Sequence, residues 1–234
     1  MIPKLSTYEL KFPHPDQANE EGMVAWGGDL SPSRLIRAYQ QGIFPWYAKG
    51  DPIIWWSPNP RLIMELEDFK LSRSLKKSLK KFEYKFDTNF REVMHKCAST
   101  PRRAQSGTWI QQEIIEAYDE LFGMGLAHSV ESYQNGVLVG GLYGVVVGRV
   151  FCGESMFSHA TDASKAAYAV LIAHLKTWGY DFVDCQVPTD HLKSLGAKEV
   201  SREYFLERLY DSNMHVLDSR WIVEKRLLED LQSL

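Results

Sequence analysis

The chain has 234 residues, 44% of them apolar and 24% charged, with a net charge of -3. That suits one large domain, or a main domain with a small appendage, and supplies enough apolar side chain for a full core. No stretch approaches the roughly 20 apolar residues of a membrane span, residues 1–15 lack the apolar segment of a signal peptide, and three cysteines in no framework spacing suit a reducing compartment. The seven histidines show no ligand spacing with those cysteines, so no metal is expected.

Residues 1–60 are rich in turn formers and hold Trp26, Trp46, Trp55 and Trp56. One helix is clear: Ser31 at the N-cap, Pro32 at the first helical position, Leu35, Ile36 and Tyr39 as the apolar stripe, and Gly42 as the stop. The stretch is expected to be a small loop-rich N-terminal domain, too short and too proline-rich to make much sheet.

The texture changes at Arg61. Residues 61–66 predict a strand. Residues 72–81 predict a basic amphipathic helix, with Leu71, Leu75, Leu79 and Phe82 on one side and Arg73, Lys76, Lys77, Lys80 and Lys81 elsewhere. A strand at 83–88 and helices at about 89–98 and 111–124 follow. Residues 127–134 alternate, Asn135-Gly136 gives a hairpin turn, and strands over 137–147 and 150–157 complete a meander. Gly140, Gly141 and Gly144 mark a bulge or a close backbone approach. A long apolar helix at 163–178, a strand at 181–187 and helices at 191–195 and 201–210 end the series. The long helix returning to a strand implies local parallel pairing. The class is α+β: residues 1–60 form the small domain, and residues 61–234 form a mixed sheet flanked by helices. Its element order resembles the GNAT acyltransferase fold, and residues 192–200 resemble that fold's late helix-to-strand corner.

Charge is unevenly placed. Residues 70–103 carry eleven Lys or Arg against three acids, a local +8 in a chain of net -3. This predicts a polyanion surface, most plausibly nucleic acid, although a solvated helix face has a similar pattern. In GNAT acetyltransferases a glycine-rich loop before the long helix receives the coenzyme A pyrophosphate. The matching residues 158–164 have no glycine here. The acyl donor is therefore expected to be something larger, with an aminoacyl-tRNA held by phosphate contacts as the candidate.

Two acids lie in apolar strands. Asp184 and Gln186 are two apart and share a face. An Asp accepting from the Gln side-chain amide would orient the Gln carbonyl toward a nucleophilic amine; alternatively both residues bond backbone at a strand end. Asp184→Ala is then expected to cost turnover and spare the fold. Glu154 could receive a cationic acceptor side chain, anchor an amine, or pair with an Arg such as Arg149. Cys185 reads as core. Trp46, Trp109, Leu142, Phe151 and Met156 could line a pocket or simply pack. Trp109 follows Gly107-Thr108 at a loop-to-helix junction, where aromatics often stack on bases for about 1–3 kcal/mol each.

The segments Trp26-Gly-Gly-Asp-Leu-Ser-Pro32, Tyr39-Gln-Gln-Gly-Ile-Phe-Pro-Trp46, Trp55-Trp-Ser-Pro-Asn-Pro-Arg61, Gly107-Thr-Trp-Ile110, Phe151-Cys-Gly-Glu-Ser-Met-Phe-Ser158 and Asp184-Cys-Gln-Val187 resemble those of bacterial leucyl/phenylalanyl-tRNA–protein transferases, in the same order and over nearly the whole chain. The resemblance implies a small N-terminal domain followed by a GNAT-like domain. It implies transfer of Leu or Phe, and Met less well, from aminoacyl-tRNA to proteins with N-terminal Arg or Lys, marking them for N-end-rule degradation. It implies no cofactor and no metal; a cytoplasmic location and a monomer are expected besides, although the sequence itself does not give the oligomeric state. By the same resemblance Asp184 and Gln186 are the catalytic relay and Glu154 a site acid for the cationic acceptor. Trp46 and Trp109 lie near the terminal adenosine, and Leu142, Phe151, Met156 and Val183 form the aminoacyl pocket. Leu142 stands where the family pattern has Met, a change that roughly conserves volume. Thr189 stands where the pattern has Asn, and it can still donate a hydrogen bond with different reach. A Fem-type peptidyltransferase acting on another amine, or a non-enzymatic tRNA-binding module, are the alternatives.

Overall fold

The computed structural model describes residues 2–101, 108–215, 217 and 220–233. Gly107, Arg102 and Arg103 lie outside the described residues.

Short strands fit between the prolines of the first sixty residues. These are β1 (Lys4–Leu5), β2 (Met23–Gly27), β3 (Phe44–Pro45) and β4 (Ile54–Trp56). They form a sheet in the order β1-β2-β4-β3, so the expectation of little sheet is corrected. Pro45 is tolerated because β3 is an edge strand, where a missing N–H breaks no ladder. Helix α1 (Pro32–Gln40) follows the expected signals, with Pro at its start and Gly42 at φ +72 beyond its end. A Cβ on Gly42 would stand 2.6 Å from Leu206 and 2.8 Å from Phe205, so the turn presses against a helix near the C-terminus.

The larger layer is built from β5 (Arg61–Glu65), α2 (Arg73–Leu79), β6 (Glu83–Phe86), α3 (Phe90–Ser99), α4 (Gln112–Gly123), β7 (Ala127–Gln134), β8 (Val137–Val147) and β9 (Val150–Ser158). It continues through α5 (Ala163–Trp178), β10 (Phe182–Gln186), α6 (Asp190–Ser194), β11 (Lys198–Val200), α7 (Arg202–Asn213) and α8 (Lys225–Ser233). The strand order is β11-β5-β10-β9-β8-β7-β6. The meander β6 to β9 is antiparallel, and α5 carries the chain across to β10, which pairs parallel with β9. This is the mixed sheet the sequence suggests.

Helices cover both faces, as the alternation of buried residues requires. Leu35, Tyr39, Val93, Ile114, Tyr118 and Phe205 pack on one side, in a cluster shared with the small sheet. Leu75, Leu79, Tyr168, Leu171 and Leu231 pack on the other. The glycines of β8 let these layers close: a Cβ on Gly140 would stand 2.4 Å from the Cβ of Ala163, at the start of α5. The β8/β9 register shifts between Tyr143 and Gly144. Helix α8 lies beyond the elements expected from the sequence, although Leu227, Leu228 and Leu231 have helical spacing, and it buries Leu231 against this second cluster.

Candidate functional site

The parallel pairing of β9 and β10 is short. It joins Phe182 to Val150, Val183 to Phe151 and Asp184 to Cys152, and ends there. Beyond it β10 shifts register against β5 between Asp184 and Gln186, and Gln186 takes φ +62. In β9, Tyr143 faces Ser155 and Gly144 faces Gly153, which leaves Glu154 as the extra residue of a bulge. Two backbone irregularities thus bring Glu154 and Gln186 together at the end of the pairing. Gln186 Nε2 donates to Glu154 Oε1 at 2.7 Å.

Two phenols complete the shell of Glu154. Tyr39 of α1 donates to Oε1 at 2.7 Å and Tyr118 of α4 donates to Oε2 at 3.1 Å. The two phenol oxygens also contact one another. Burial drives the Glu154 carboxyl up to about 7; the Tyr39, Gln186 and Tyr118 hydrogen bonds oppose that rise, and the charge of Asp184 adds to it. Burial and then the Glu154 charge hold both phenols well above their ordinary range, so they remain donors.

Asp184 is placed differently. It is 1% exposed, and Arg61, also 1% exposed, faces it from β5. Arg61 Nε donates to Oδ1 at 2.8 Å and Nη2 to Oδ2 at 2.6 Å, the bidentate fork that guanidinium geometry favours. Arg61 also reaches the Gly42 carbonyl at 3.1 Å and lies over the rings of Phe205 and Phe44. The expected relay is therefore corrected. Asp184 Oδ1 accepts from the Gln186 backbone N–H at 2.9 Å, while the Gln186 side-chain amide goes to Glu154. The left-handed turn at Gln186 aims its backbone, not its side chain, at Asp184. Arg149, a possible partner for Glu154, pairs with Asp181 instead.

The apolar pocket residues divide by face. Leu142 and Met156 are cross-strand partners on β8 and β9, as are Phe151 and Val183 on β9 and β10. All four pack with the α5 cluster. Trp46 and Trp109, both half-buried, pack against the opposite cluster. The structure brings the first four together and sets the indoles on the other side of the sheet. Cys185 is buried, and burial pushes its thiol up to about 12, as suits core packing. Thr189 caps α6, its Oγ1 accepting from Leu192 N at 3.2 Å.

Helix α2 buries Leu75, Ser78 and Leu79, and Ser78 Oγ donates to Asp162 at the start of α5. Arg73, Lys77, Lys80 and Lys81 are exposed, and Lys76 is half-buried. No helix among the described residues is long and apolar enough to cross a membrane.

The sequence marks Tyr39 only as an apolar-stripe residue and gives Tyr118 and Arg61 no chemical role. The one signal for Arg61 is a cation at the head of the apolar run Arg61-Leu-Ile-Met64, where a buried charge needs a partner.

Residues 63–210 match the family profile described as leucyl/phenylalanyl-tRNA protein transferase. Residues 28–59 match the profile of that family's N-terminal domain. A leucyl/phenylalanyl-tRNA--protein transferase of Sulfurimonas denitrificans is 72% identical over 94% of this chain and 97% of its own length. The protein of the same name from Nitrosospira multiformis is 55% identical over 89% of this chain and 91% of its own. Among solved structures, a functionally unknown conserved protein of Staphylococcus epidermidis aligns over 76% of this chain and 68% of its own at 9% identity, with a TM-score of 0.40.

Proposed function

The chain belongs to the leucyl/phenylalanyl-tRNA protein transferase family, and on that premise we propose that it moves leucine or phenylalanine from aminoacyl-tRNA to the α-amine of a protein N-terminus. Methionine is a poorer donor residue, and the acceptors begin with Arg or Lys. The product N-terminus marks the protein for N-end-rule degradation in the cytoplasm. The small domain ends near residue 60, and the transferase domain runs from 61.

The observation that carries this reading is the Gln186–Glu154 hydrogen bond at the end of the β9/β10 pairing. It sets an amide against a carboxylate on β9, two residues before Met156, whose pairing with Leu142 we read as the apolar wall for a Leu or Phe side chain. Aminolysis of an ester needs little more than that: a held acyl group, an oriented amine and a path for one proton. Gln186 Oε1 takes no hydrogen bond from the described residues and is free to accept from the incoming amine. Asp184, with Arg61, fixes the Gln186 backbone and so acts as a positioning residue. Glu154 favours a cationic acceptor over a neutral one. Trp46 and Trp109, which pack in the same cluster as Tyr39 and Tyr118, contact the terminal adenosine, and Arg73, Lys76, Lys77, Lys80 and Lys81 hold tRNA phosphates.

The test is incubation with leucyl-tRNA and peptides beginning Arg, Lys or Ala, read by mass. Addition of one leucyl residue to the Arg and Lys peptides is expected. No addition to any peptide would sink the transferase reading. Addition to Ala as readily as to Arg would sink the acceptor assignment, and a Fem-type acceptor would then be sought.

A further inference from the structure

We infer that Glu154 is the group that receives the proton of the attacking amine, with Tyr39 and Tyr118 as positioning residues that fix its carboxylate. The inference rests on the transfer reading and assigns the proton path within that site.

Access and charge separate the two acids. An ionised carboxylate offers about four acceptor positions. Asp184 gives three to Arg61 Nε, Arg61 Nη2 and the Gln186 N–H, and it is closed to solvent with a full cation against it. Glu154 also has three donors: Tyr39 and Gln186 on Oε1, and Tyr118 on Oε2. Yet Glu154 remains partly exposed, has no cation against it among the described residues, and keeps a position on Oε2 for an amine N–H.

The titratable groups around it are few. Tyr39 faces it from α1, Tyr118 from α4 with Tyr143 of β8 behind, Cys152 from β9, and the Asp184–Arg61 pair from β10 and β5. Burial raises the Cys152 thiol, and both phenols are raised as well, so those three stay protonated at neutral pH. Glu154, at about 7, matches an α-amine, whose ordinary range is about 7.7–8.0.

The step balances without a co-reactant. The neutral amine adds to the ester carbonyl, and the new C–N bond forms as the bond to the tRNA ribose oxygen breaks. Glu154 takes one N–H proton and, as the acid, gives it to the departing ribose oxygen.

The experiment is the pH dependence of kcat/KM for leucyl transfer to an Arg peptide, for wild type, Glu154→Gln and Tyr39→Phe. On the acid side the wild-type logarithmic plot should climb with a slope of two, one ionisation from the peptide amine and one from Glu154. Glu154→Gln should lose about 100-fold or more and climb with a slope of one. Tyr39→Phe removes a donor to the carboxylate and should move the Glu154 inflection to higher pH. A Glu154→Gln plot that keeps slope two, at any rate, would overturn the inference. If Glu154→Gln does not fold, an unmoved inflection in Tyr39→Phe overturns it instead. A wild type that transfers nothing sinks the transferase reading itself.

Discussion

Arg61 and Asp184, 123 residues apart, form a two-pronged ion pair between β5 and β10 in which neither side chain keeps more than 1% of its surface. The pair locks the bulge that turns Gln186 toward Glu154, so a stability device and a site-building device are one contact. Removing one partner of such a pair strands the other charge, at about 3–5 kcal/mol. Asp184→Ala is therefore expected to lower unfolding free energy by that amount, reversing the sequence-based expectation that the fold is spared. Arg61→Met with Asp184→Leu should lose less than Asp184→Ala alone, because no orphan charge remains. Urea denaturation of the three proteins decides this, and equal losses would mean that the charges are not the cost.

Glu154 also links stability to pH. Its folded carboxyl sits near 7 against an ordinary 4.5, because burial disfavours the charged form. The folded protein then holds a proton that the unfolded chain has released between those values. Stability from this group is present at low pH and lost as pH rises from about 4.5 to 7. The full shift corresponds to up to about 3 kcal/mol. Glu154→Gln has nothing to ionise there. Measured at pH 5 and pH 8, wild type should weaken relative to Glu154→Gln by up to that amount, and a constant difference would mean that Glu154 ionises without penalty.

What the sequence reveals follows from range. The meander β7 to β9 and helix α5 are legible because their periods are local: alternation, an Asn135-Gly136 turn, a sustained apolar helix. The short strands β1 and β3 are not, since two residues carry no period and exist only by pairing with β2 and β4. Glu154 and Gln186 were visible as polar residues in apolar strands, but their partners were not. Alternation predicts which face a residue takes, and both residues sit where alternation is broken, one at a bulge and one at φ +62. Tyr39 looks like a stripe residue in sequence because a buried phenol and a buried phenylalanine have the same period. Only the fold shows where its hydroxyl ends.

The glycines give a contrast free of chemistry. Gly140→Ala would force a Cβ to 2.4 Å from Ala163 Cβ and 2.8 Å from its backbone carbon, so α5 must move off the sheet. Overpacking of this kind costs about 1–3 kcal/mol. Gly123, the last residue of α4, has nothing within 4 Å of its added Cβ. Gly123→Ala should stabilise by about 0.4–1 kcal/mol by restricting the unfolded chain. Thermal unfolding of both variants should move in opposite directions, and a neutral Gly140→Ala would show that the α5 contact is soft.

The basic face of α2 makes a prediction that charge alone can test. Leu75 and Leu79 anchor the helix, so Arg73, Lys77, Lys80 and Lys81 can be reversed to Glu without touching the core. If these side chains neutralise tRNA phosphates, each releases bound counterion, and the logarithm of affinity falls with the logarithm of salt by roughly 0.7–0.9 per contact. The fourfold reversal should weaken tRNA binding most at low salt and flatten the salt slope by up to about 3. Transfer to a peptide at saturating tRNA should stay near wild type, since no α2 residue touches Glu154 or Gln186. Filter binding across a salt series measures the slope. An unchanged slope would make α2 a solvated surface and move the tRNA path elsewhere on the chain.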